Sequence, residues 1–120
     1  MQSVSQERQT LSIKSMQSTL SKLENAYKNM TEKGLNTALV QKRWDAVKIG
    51  LNSLENAWQG TEFSYEEETI LEARNVLVDI LPSIEKQYEK ANDGSSQKTL
   101  LERRITSTEL AIDALDAHIK

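Results

Sequence analysis

Cysteine is absent from this 120-residue chain. That excludes a disulfide framework, thiol chemistry and any Cys-based zinc site. Proline occurs once and glycine four times, and aromatic residues make up only 5%, a composition that disfavours sheet and tight-turn architectures. The one histidine, His118, has no partner with which to build the Glu-x-x-His pairs of di-iron bundles. No HExxH, Gly-rich phosphate loop or nucleophile elbow occurs either. The longest apolar runs are a few residues, against the roughly 20 that a membrane-spanning helix needs. The opening segment, MQSVSQERQT, has neither the basic start nor the apolar stretch of a signal peptide. The expectation is a cytoplasmic, non-enzymatic protein with no cofactor, no metal, no small-molecule substrate and no membrane segment.

Charge is present in quantity and unevenly placed. The net charge is −3, which argues against nucleic-acid binding, since that requires a positive face. Residues 1–60 hold 8 Lys and Arg against 5 Asp and Glu, a balance of +3; residues 61–120 hold 7 against 13, a balance of −6. A basic half and an acidic half can attract each other within one fold or dimer. Alternatively, the acidic half can meet a basic partner.

Apolar spacing sets the fold. Val40, Trp44, Val47, Leu51, Leu54 and Trp58 follow one another at intervals of 4, 3, 4, 3 and 4. At about 100° per residue these side chains share one helix face. Ile13, Met16, Leu20, Leu23, Tyr27 and Met30 form a similar seam upstream. Downstream lie Ile70, Ala73, Leu77, Ile80, Leu81, Ile84, Tyr88 and Ala91, and then Leu101, Ile105, Thr108, Ile112, Leu115 and Ile119. Breaks fall at Gly34–Asn36, after Gly60 and at the loop Asn92–Ser96, where Gly, Asn and Ser punctuate the chain. Expected caps are Ser3 with Gln6, Asn36, Ser64 with Glu67, and Thr99 with Glu102. The spacing predicts one all-α domain, a four-helix up-down-up-down antiparallel bundle with helices over about 3–33, 37–59, 65–92 and 97–119 and the third kinked at Pro82. Gly50, inside the second helix, predicts a close helix approach. Trp44 is expected to be largely buried beside Tyr27 and Tyr88. An echo at 31 residues, LSKLENAY at 20–27 and LNSLENAW at 51–58, reads as similar packing demands on successive helices.

Trp58-Gln59-Gly60 falls at a helix–turn–helix junction and resembles the Trp-x-Gly turn of the WXG family of small secreted helical proteins. The resemblance covers these three residues and their context. It implies a two-helix hairpin that dimerises into four helices and is exported without a cleaved signal. The chain departs from that pattern in its further breaks at Gly34–Asn36 and 93–96, and Tyr88 has Asn92 at +4 where the family carries an acidic residue. The small, acidic, four-helix profile is also similar, by class alone, to bacterial secretion and flagellar chaperones.

The functional expectation is a non-catalytic bundle acting through protein–protein interaction, as an adaptor, chaperone-like or regulatory binding module, with another protein or a second copy as partner. The alternative is a WXG-like exported protein or its partner. Leu71 and Val78, seven residues apart, form a second apolar stripe on the third helix, about 100° from its core seam. With Glu67 and Glu68 nearby they are the candidate partner-binding residues. Pro82 leaves the Val78 carbonyl without its usual donor.

Overall fold

A computed structural model describes residues 3–119. Four helices follow in order: α1 (Gln6–Glu32), α2 (Ala38–Gln59), α3 (Glu67–Lys90) and α4 (Ser96–Asp116). They form an all-α four-helix bundle in which short connections make successive helices antiparallel neighbours. α1 also packs on α4, which closes the ring, and α2 approaches α4 across it. No Cα of α1 comes within 8 Å of one in α3. The principal extents are 38 × 36 × 21 Å. The short dimension is about two helix diameters and both long ones are near a helix length, so the axes splay instead of running parallel.

Helix ends follow local chemistry, with some shifts from expectation. Ser5, not Ser3, caps α1, its hydroxyl accepting from the Arg8 amide at 3.2 Å. The end of α1 is a Schellman turn: Leu35 N–H donates to the Met30 carbonyl and Gly34 N–H to that of Thr31, with Gly34 left-handed at φ +69°. Thr37 occupies the cap position of α2, but Asn36 supplies the acceptor, its Oδ1 receiving the Ala38 amide at 2.9 Å. The expected Ser64–Glu67 capping box does not form. α3 starts too late for it, with Glu66 at its cap, and the Ser64 hydroxyl donates to Glu62 instead. Ser95 replaces Thr99 as the cap of α4, accepting from the Lys98 amide at 3.1 Å. Gly60 ends α2 in the left-handed region at φ +71°.

The α2–α3 connection is pinned at both sides. Asn56 Nδ2 donates to the Thr61 carbonyl at 2.7 Å and Asn52 Nδ2 to the Tyr65 hydroxyl at 2.6 Å. Phe63 stacks on His118 with ring centroids 4.5 Å apart and meets the Tyr65 ring edge at 5.0 Å. Trp58 packs partly buried against the core beside its Gly60 turn. One chain thus supplies all four helices, whereas the WXG resemblance implies two helices from each of two chains.

Gly50 lies at the centre of the core. A Cβ built there would stand 3.1 Å from Leu77 Cδ1, 3.1 Å from Met16 Cε and 3.3 Å from Ala111 Cβ, one atom from each of the other three helices. The residues around this point are small and buried: Ala46 and Ser53 on α2, Ser107, Ala111 and Ala114 on α4. Larger side chains fill the flanks, with Leu54, Leu77, Leu101 and Leu115 almost fully buried.

Two seam assignments need correction. Trp44 is only half buried. It sits at the α1–α2 edge, where its indole N–H donates to Glu24 Oε1 at 3.2 Å and Lys48 Nζ lies 5.0 Å above its ring. Tyr88 instead packs under the Lys98 ammonium, 4.5 Å from its ring centroid. On α4 the seam members Leu101, Thr108, Ile112 and Leu115 are buried as expected, but Arg104, Ser107, Ala111 and Ala114 are buried with them, and Ile105 is turned partly outward. The small residues set that rotation, because only they admit α2 so closely.

Gly50→Leu removes a helix-interior glycine and on propensity alone gains about 0.8 kcal/mol. The crowding at three helices predicts the reverse, a net loss of about 1–3 kcal/mol. Urea unfolding measures it, and an unchanged midpoint means that the helices do not meet at this residue.

Candidate partner-binding surface

α3 packs on α2 and α4 only, so its outward face is covered by no other element. That face is where Leu71 and Val78 stand, 44% and 37% exposed. Their separation of seven residues places them two turns apart and about 20° from eclipsed. By the same arithmetic Pro82, Glu85 and Glu89 continue the stripe towards the end of the helix, and Glu67 and Glu68 flank its start. All of these, Glu67, Glu68, Pro82, Glu85 and Glu89, are exposed. The four residues singled out from sequence therefore do fall on one exposed region of one helix.

The electrostatics of this face are acidic on balance, with two cations beside the stripe, exposed Lys86 and Arg74, the second of them neutralised. Arg74 is held by Asp116 of α4, Nε to Oδ1 at 2.9 Å. Both side chains keep solvent contact, so the pair is worth at most about 1 kcal/mol, but it ties the cation to the bundle and leaves the carboxylates as the dominant charge. Glu67 and Glu68 in the first turn of α3 also benefit from the positive end of the helix dipole. α3 runs through Pro82 to Lys90. Proline has no N–H, so the Val78 carbonyl lacks its usual i+4 helical donor, and the pyrrolidine ring stands against it.

A second exposed apolar region escaped the sequence reading. Tyr27 is 40% exposed and, with Trp44, Glu24, Lys28 and Gln41, lines an open groove between α1 and α2. Leu35 and Leu39, 55% and 59% exposed, stand in and just after the turn joining those helices. The seam pattern hid the first two because it treats every heptad position as core. The signal that could have separated them is length: α1 has 27 residues and α4 only 21, so the far end of the α1–α2 pair has fewer residues to pack against. Arg104 escaped notice for the opposite reason, as a charged residue assumed to face solvent.

Among the described residues, no group of three or more His, Cys, Asp or Glu is placed to hold a metal ion, and no helix is long and apolar enough to cross a membrane. Comparison of the chain with known protein families, with curated proteins and with solved structures finds no match.

Leu71 and Leu77 are a turn and a half apart on α3, the first 44% and the second 1% exposed. Leu77→Ala is expected to cost about 2–5 kcal/mol and Leu71→Ala no more than about 0.5 kcal/mol, both read from denaturant midpoints. Equal costs would show that the outer stripe is core.

Proposed function

We propose that this chain is a non-catalytic helical bundle that binds another protein, docking a basic amphipathic helix along the outward face of α3. The observation that carries the reading is the exposure of Leu71 and Val78, two large apolar side chains at heptad spacing on a helix face that nothing in the chain covers. Apolar residues at such spacing match the anchors of a helix laid alongside. The acidic flank selects the charge of the occupant: a helix with Lys or Arg beside its apolar stripe gains complementary contacts with Glu68, Glu85 and Glu89, and an acidic one is repelled. Adaptor, chaperone-like and regulatory roles all use such a face.

The double variant Leu71→Lys, Val78→Lys tests this. Both positions are exposed, so the variant is expected to fold with stability within about 1 kcal/mol of the parent. Proteins retained by the two forms from a lysate of the source organism are then compared across a salt series. A partner held by the parent at low salt, released as salt rises and absent from the variant supports the reading. Equal retention by both forms, or retention that is indifferent to salt, overturns it. Sedimentation of the pure chain identifies the other occupant: a dimer that the double substitution dissolves means that a second copy covers the stripe.

A further inference from the structure

Arg104 is buried in the bundle with 9% of its surface exposed. Its Nε has no hydrogen-bond acceptor, and it makes no ion pair with any described residue. The nearest hydroxyls on its own helix do not help. Thr108 donates to the Arg104 carbonyl at 2.7 Å and Ser107 to the same carbonyl at 3.1 Å, so they serve the backbone and not the guanidinium. Burial pushes the guanidinium pKa down, but arginine holds its proton far above neutral pH and stays charged. Its terminal nitrogens keep solvent contact, since Nε alone is cut off without a partner, yet a cation drawn this far inside with no counter-charge is still costly.

The side chain is not enclosed. It lines a cleft of about 210 Å³, built where α1 and α3 face each other without approaching. Lys22 of α1 and Arg43 of α2 line the same cleft, which makes three cations, and no Asp or Glu contributes to its lining. Thr19, Ser83 and Gln87 add hydrogen-bonding groups, and Leu23, Val47 and Ile84 form apolar wall. Three cations from three helices without one carboxylate is a notable arrangement in a chain of net charge −3.

We infer that this cleft is a binding site for a small organic carboxylate with a compact apolar body, its head group taken by Arg104 with Arg43 and Lys22 at the rim. The guanidinium fork matches a carboxylate by two parallel N–H···O bonds. The apolar walls favour a hydrocarbon body over a bare inorganic anion, because a fully hydrated ion gains nothing from them and loses its water. The ligand supplies the counter-charge that the fold withholds. This site is separate from the outer face of α3, and neither reading depends on the other.

Octanoate is the probe, with octanol and inorganic phosphate as controls, added to the full chain. Calorimetric titration and the thermal midpoint are the readouts. Octanoate is expected to bind with one-to-one stoichiometry and to raise the midpoint, with both controls at least about tenfold weaker. Arg104→Met, which fills the same space without charge, is expected to lose at least about tenfold in octanoate affinity while its ligand-free midpoint stays level or rises. That pairing separates a ligand site from a structural role, in which the midpoint alone would fall. An unmoved midpoint with octanoate, equal binding of octanol or phosphate, or full octanoate affinity in Arg104→Met each overturns the assignment. If Arg104→Met does not fold, Arg43→Met decides: weakened octanoate binding supports the site and unchanged affinity overturns it.

Discussion

The packing of this protein turns on the absence of one side chain. Gly50 brings α2 so close to its neighbours that a single added carbon would press on Met16, Leu77 and Ala111 at once. Once α2 and α4 meet there, the bundle can no longer have four equal sides. α1 and α3 are held apart across it, and the space between them becomes the cleft that Arg104 lines. α3 touches only α2 and α4, its neighbours in the ring, which leaves its outer face free.

Small polar residues make that approach possible without leaving polar groups stranded. Ser53 donates to the Gly50 carbonyl at 2.6 Å, and Ser107 has Ser15 of α1 as a second acceptor at 3.2 Å. Turning a hydroxyl back to its own helix satisfies the donor and presents a methylene-sized surface to the neighbouring helix. Serine thus does the work of alanine at the α2–α4 and α1–α4 contacts. Arg104 is the exception within this interior, being, among the described residues, the one whose buried side-chain nitrogen is left without a partner.

Much of the architecture was legible in the chain. Heptad spacing located all four helices, Gly34 and Gly60 marked two of their ends, and Gly50 marked a close contact inside one of them. Caps were less legible, because several Ser, Thr and Asn residues compete near each helix start and the winner depends on where the first turn closes. Trp44 and Arg104 show the deeper limit. Periodicity reports which way a side chain points on its own helix, but not whether another helix stands opposite. A tryptophan on the seam can therefore reach the edge of the bundle, and an arginine beside it can be drawn inside by the alanines and serines that set the rotation of α4. Leu71 and Val78 were visible as a stripe, yet only the packing of α3 shows that the stripe faces outward.

Gly50 also bears on how the molecule comes together. A glycine at the middle of the α1–α2 pair contributes no apolar surface of its own, so that pair on its own has a bare patch where a core should be. The patch is filled by Leu77 and Ala111, which lie 27 and 61 positions further along the chain. Neither helical hairpin can complete its interior by local contacts, and each supplies what the other lacks. Loss of one hairpin therefore exposes the other, which favours unfolding of the two together.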